Sequence, residues 1–278
     1  MPEVTLEQGP IRYRDEGSGP PVVFVHGALV DGTLWTPVVQ RLAGRVRCVV
    51  PDMPLGSHRA PMARDADLSP TGLAQLVADL LEALDLRDVT LVGNDTGGAI
   101  CQLVATRHPE RLGRLVLTNC DAFDNFPPKA FRTLVLAART HTLTASMQPL
   151  RARAPRRLPF AYGRLTKHRA PDAVLDGWVD PFLADRGVRR DARRFLAKLN
   201  PELLLDNTAR LAEFAKPVLI AWAREDPFFP VEHAHRLAAI FPQARVVEID
   251  DAHAFVSLDQ PARLAELIGE FVPQGVAA

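Results

Sequence analysis

The chain has 278 residues, with 33 Lys plus Arg against 33 Asp plus Glu, 47% hydrophobic and 24% charged. These shares exclude a disordered or coiled-coil protein, and 17 glycines and 24 prolines are too few for a collagen-like or low-complexity one. The balanced charge leaves no net field to gather nucleic acid or a membrane surface, while the length suffices for a self-contained core.

Met1 to Glu7 carry neither the basic nor the apolar part of a secretory signal, so a cytoplasmic location is expected. Cys48, Cys101 and Cys120 are odd in number and form no CxxC pair, which fits a reducing compartment and suggests no metal cluster. The apolar run Pro21–Val25 reads as a strand buried on both faces, and it ends in His26-Gly27. Val46–Val50 is the next such run, stopped by Pro51-Asp52. From Ser69 to Leu84, apolar residues recur at helical spacing, with Ser69 as a suitable N-cap and Pro70 in the tolerated first position.

Val89–Val92 reads as another buried strand, followed by Gly93-Asn94-Asp95-Thr96-Gly97-Gly98 and a helix to about Arg107. Leu115–Thr118 is a further strand. The pattern then vanishes between about Asp124 and Phe214, where helices and loops are expected. Strands resume at Pro217–Trp222 and Arg245–Ile249, and a last amphipathic helix covers about Gln260 to Phe271. None of the apolar runs is long enough to span a membrane. Alternating short apolar runs and helix-length segments predict an α/β protein with a mostly parallel sheet. Residues 1–123 and 215–278 form the expected core, and 124–214 a helical lid inserted between two strands. Lys129 to Arg169 hold ten Lys or Arg and no Asp or Glu. Such a segment is first of all a solvated face; the alternative is a surface for an anionic substrate or partner.

The sharpest signal is a buried strand running into a glycine-flanked residue and then a helix, which lifts residue 95 out of the sheet plane. The place usually held by serine holds Asp95. An aspartate there also suits a plain helix N-cap. Two more residues weigh against that reading: Asp226 follows one later strand and His253 the next, in the order nucleophile, acid, histidine. Each stands at the carboxyl end of a strand, where open-sheet sites lie.

On these residues the chain resembles the α/β-hydrolase superfamily, and within it the aspartate-nucleophile branch of epoxide hydrolases and haloalkane dehalogenases. The resemblance rests on His26-Gly27, Gly93-Asn94-Asp95-Thr96-Gly97-Gly98, His108-Pro109-Glu110-Arg111, Arg224-Glu225-Asp226-Pro227 and Ala252-His253-Ala254-Phe255. It implies an eight-stranded, mostly parallel sheet with a helical lid. It also implies that Asp95 attacks substrate carbon to form an ester, and that His253, oriented by Asp226, activates the water that cleaves it. The N–H groups of Ala28 and Thr96 would bind the resulting oxyanion. Asp121, after Leu115–Asn119, is the alternative acid. An ordinary aspartate, with a pKa near ~3.9, is ionised at neutral pH and needs no base.

Members of the dehalogenase type usually carry Trp directly after the nucleophile, whereas Thr96 stands here; many epoxide hydrolases have Pro where Leu29 stands. Epoxide opening ranks first and dehalogenation second, with esterase or lactonase action, or a non-catalytic ligand-binding receptor, as further readings. Tyr162, His141, His168 and Trp178 are the candidate donors to a leaving group. The mechanism calls for no metal and no cofactor. The expected partner is a small-molecule substrate, with the chain a monomer or homodimer, bound to neither nucleic acid nor membrane.

Overall fold

A computed structural model describes residues 1–273. Eight strands, β1 (Glu3–Leu6), β2 (Gly9–Glu16), β3 (Pro21–Val25), β4 (Arg47–Pro51), β5 (Val89–Asp95), β6 (Leu112–Cys120), β7 (Val218–Ala223) and β8 (Ala244–Ile249), form one sheet in the order β1-β2-β4-β3-β5-β6-β7-β8. The pairs β1–β2 and β2–β4 are antiparallel, and all pairs from β4 to β8 are parallel. This is the α/β-hydrolase fold. β3, β5, β6 and β7 are apolar on successive residues because helices cover both faces of the sheet.

Ser69 caps the helix Pro70–Ala83, its hydroxyl accepting from the Gly72 N–H at 3.1 Å. β6 begins at Leu112, ahead of the expected Leu115. Its first turn of pairing, Val89 with Leu112, carries an irregularity, and the partly exposed Gly113 and Arg114 conceal the strand from an apolar count. Between β6 and β7 every regular element is helical, the longest being Asp172–Ala184 and Arg186–Ala197. Among the described residues, no helix is long and apolar enough to cross a membrane.

The connectivity decides where chemistry can happen. From β3 the chain moves outward to β4 and then returns to the other side of β3 as β5. A crevice therefore opens where β3 and β5 end together. Val25 lies opposite Gly93 in the parallel register, so His26-Gly27-Ala28 and Asn94-Asp95-Thr96 leave the sheet side by side.

Candidate active site

Asp95 has φ 53° and ψ −132°, a left-handed conformation that costs a non-glycine residue roughly 1–3 kcal/mol. The flanking glycines have no such angles; what they supply is room. A Cβ on Gly93 would lie 2.7 Å from both Cys101 Sγ and Gly98 Cα, and one on Gly97 would be 2.7 Å from the Val25 carbonyl carbon. The helix Thr96–Arg107 can thus press against β3 and β5 while the strained angle falls on the aspartate. Its side chain makes no capping bond to that helix, so the N-cap alternative does not describe it.

The Asp95 carboxylate lies beside the backbone N–H groups of Thr96 and Ala28, which favour its anion. The loop bearing Ala28 is held from several sides. The Met53 N–H donates to His26 Nε2 at 2.8 Å, which leaves Nδ1 to donate to the Gly27 carbonyl at 2.9 Å. Burial lowers the His26 pKa and keeps the ring neutral for that role. The next residue, Leu29, has φ 57°; its N–H bonds Leu55 O at 3.0 Å and its carbonyl accepts from Tyr162 Oη at 2.7 Å.

Burial is the main force on Asp95 and pushes its pKa from 3.8 to about 7, the Asp226 charge adding to the rise while the two N–H donors oppose it. The expectation of a fully ionised carboxylate is therefore corrected. Near neutral pH this group is divided between its acid and its anion.

Asp95 forms the floor of a cavity of about 510 Å³ roofed by the helical segment. Apolar lid residues such as Phe131, Leu134, Val135, Met147, Leu150 and Leu165 make most of its wall. Phe160, 72% exposed, stands at its edge. Among the described residues, the acidic or basic side chains on the wall are Asp95 and Asp121. None of the ten cationic lid residues reaches it. Arg153 and Arg156 pair with Asp176, Arg157 with Asp172, and Lys167 with Glu225 and Asp251. Four of the ten thus find counter-charges outside their own stretch of sequence, and none of the ten lines this cavity.

Asp121 is fully buried beside Asp95, its N–H bonding the Asp95 carbonyl at 3.3 Å. Its Oδ2 accepts from Thr96 Oγ1 at 3.0 Å, and its Oδ1 has no partner. Burial first, and then the neighbouring Asp95 charge, push its pKa well up. Asp226 takes another route: Oδ2 accepts from Asn119 Nδ2 at 2.7 Å and Oδ1 from the Phe228 N–H at 2.8 Å. Burial pushes it up to about 7 as well.

His253 is not hydrogen-bonded to Asp226 or Asp95. Its Nδ1 meets the Arg164 carbonyl of the lid at 3.1 Å, and its N–H donates to Asp259 Oδ2 at 3.0 Å. Its loop is nevertheless tied to β5, for Asn94 Nδ2 donates to the Ala254 carbonyl at 2.8 Å. Asp259 also accepts from the N–H groups of Lys167, at 2.7 Å, and His168, at 3.0 Å, fastening the lid to the histidine loop. Sequence reasoning missed Asn94, Asn119 and Asp259 as positioning groups. Asn94 and Asn119, polar residues at the ends of buried strands, were signals that could have been used.

The donor set narrows. Tyr162 lines the cavity, its proton committed to Leu29. His168 lies on the surface bound to Asp251 at 3.0 Å, and His141 is exposed beyond the helix Arg132–Arg139. Trp178 is buried away from the cavity, and its N–H donates to Thr33 Oγ1 at 2.9 Å. These three are corrected: short-range sequence does not reveal that the helix carrying Trp178 turns its indole toward the N-terminal loop.

Residues 20–261 match the family model described as the alpha/beta hydrolase fold. The chain belongs to the α/β-hydrolase family. It is 30% identical over 275 residues to haloalkane dehalogenase 2 of Mycobacterium tuberculosis, covering 95% of this chain and 91% of that one. It is 27% identical to the cis-3-alkyl-4-alkyloxetan-2-one decarboxylase of Shewanella oneidensis, over 95% and 85% of the two chains. Among solved structures, an α/β-hydrolase fold protein of Burkholderia ambifaria superposes with a TM-score of 0.82 at 23% identity, over 96% of each chain.

Proposed function

We propose that this hydrolase opens an uncharged, apolar electrophile by attack of Asp95, with an epoxide as the substrate class. The observation that carries the reading is a carboxylate, in place of a serine hydroxyl, at the floor of an apolar cavity and beside the backbone N–H groups of Thr96 and Ala28. An ester formed there keeps its carbonyl oxygen on those donors, which then hold the oxyanion when water adds. The water's proton goes to His253 once its ring turns from Arg164; its backbone is held by Asp259 and, through Ala254, by Asn94.

An oxygen leaving group suits the cavity better than a halide. Among the described residues, none of the three tryptophans contributes an indole N–H to the wall, and no basic side chain does. The 30% identical dehalogenase favours a second reading, attack on a carbon–halogen bond. The same Asp95 attack on a strained four-membered ring is suggested by the name of the oxetanone-acting relative.

One experiment tests these readings. His253→Gln, incubated with a terminal epoxide and separately with the matching alkyl bromide, should accumulate an ester on the Asp95 peptide. An epoxide adds its whole mass; a bromide adds the alkyl group alone. The epoxide adduct should build faster. Absence of any adduct on Asp95 from either reagent overturns the nucleophile assignment, and a bromide adduct alone supports the second reading.

A further inference from the structure

We propose that Asp121 is a catalytic proton donor, giving its proton to the ring oxygen as Asp95 attacks the carbon; this rests on the Asp95 reading above. Three observations place it there. Asp121 lies on the cavity wall beside Asp95. It is fully buried, yet Oδ1 has no hydrogen-bond partner, which leaves that oxygen free to engage a bound substrate. Its other oxygen is fixed by Thr96 Oγ1 at 3.0 Å, so the carboxyl is oriented by the residue next to the nucleophile.

The ionisable groups facing it are Asp95 on the elbow and the thiol of Cys120 on β6. No lysine, arginine or histidine lines the cavity among the described residues. With burial and the Asp95 charge both opposing its ionisation, Asp121 keeps its proton when Asp95 ionises, and the pair then holds one proton. This is a different task from orienting His253, which Asp121 does not touch.

The step balances. An Asp95 oxygen forms a bond to the epoxide carbon, the carbon–oxygen ring bond breaks, and its electron pair stays on oxygen. Asp121 supplies the proton there, leaving a hydroxyl group and an Asp121 carboxylate. Water then adds to the ester carbonyl, its proton passing through His253 to the departing alkoxide oxygen. The product is a diol and a protonated Asp95. That acid returns its proton to Asp121, restoring the starting pair with one epoxide and one water consumed. A halide needs no such proton, so Asp121 selects for oxygen leaving groups.

The test compares pre-steady-state alkylation of Asp95 by an epoxide and by the matching bromide in the His253→Gln background. Adding Asp121→Asn should lower the epoxide-to-bromide rate ratio about 100-fold, the lower end of what general acids contribute, and Asp121→Glu should restore part of it. Should Asp121→Asn fail to fold, the pH dependence with Asp121 intact decides: epoxide alkylation should fall at high pH, while bromide alkylation rises and then stays level. An unchanged ratio, or identical high-pH behaviour for both reagents, overturns the assignment of Asp121 alone. Failure of both reagents to label Asp95 overturns the nucleophile reading and this proposal together.

Discussion

The Asn94 side-chain amide donates to the Ala254 carbonyl at 2.8 Å, and also to Thr118 Oγ1 at 3.0 Å and Asn119 O at 3.1 Å. One buried residue thereby joins β5, β6 and the loop that carries His253. Asn94→Leu would leave those acceptors without a donor, at about 1–3 kcal/mol per unsatisfied group. Urea unfolding should show a loss of at least ~2 kcal/mol. Since the bond to Ala254 sets the position of His253, cleavage of the Asp95 ester should slow more than its formation. Equal slowing of both steps in single-turnover kinetics would contradict that role.

A carboxylate held in an apolar cavity is a burden on the fold. Burial raises the Asp95 pKa from 3.8 to about 7, so the native state binds its proton more tightly than the unfolded chain. That contribution is fully present below pH ~4, declines as the unfolded chain ionises, and is lost by pH 7 and above. Asp95→Asn should therefore be inactive yet more stable at pH 8 than the parent, by up to about 4 kcal/mol. The gain should shrink at pH 5 and vanish near pH 3.5. A pH-independent difference in Tm would contradict the sign worked out here.

Gly27 shows why the segment after β3 tolerates so little. A Cβ at this position would sit 2.6 Å from Asp95 Cγ and would overlap its carboxylate oxygen. Gly27→Ala must displace either the Asp95 carboxylate or the Ala28 N–H beside it. Turnover should fall about 100-fold or more, the usual effect of losing one oxyanion donor, while far-UV circular dichroism stays that of the parent. Turnover within threefold of the parent would show that the loop relaxes freely.

Five of the strands, β3 to β7, were legible in the chain because they are largely apolar on both faces, a pattern a helical cover imposes, whereas β8 is half-exposed and was legible from its β-branched residues. The elbow was legible because close packing at residues 93, 97 and 98 admits only glycine. His253 illustrates what was hidden. Its place after β8 follows from chain order, but its ring direction depends on a carbonyl at Arg164, 89 positions earlier. The fate of the Trp178 N–H depends likewise on Thr33. Such long-range choices follow from how the lid is seated, and local periodicity carries no record of them.

Asp259 is the part of the site furthest from any recognisable motif, and its two oxygens serve three backbone N–H groups, those of Lys167, His168 and His253. Asp259→Asn would replace one acceptor oxygen with a donor that faces N–H groups, so at least one of these bonds is lost and one contact becomes repulsive. The lid residues and the histidine loop should then loosen together. Hydrogen exchange should rise at 165–168 and 252–255, with the β5 core unchanged. Ester cleavage should slow about 10-fold, since charge-assisted bonds contribute ~1.5–3 kcal/mol each, whereas alkylation of Asp95 needs neither group and should change less than twofold. Exchange that rises in the lid while ester cleavage holds its parent rate would restrict Asp259 to fastening the lid.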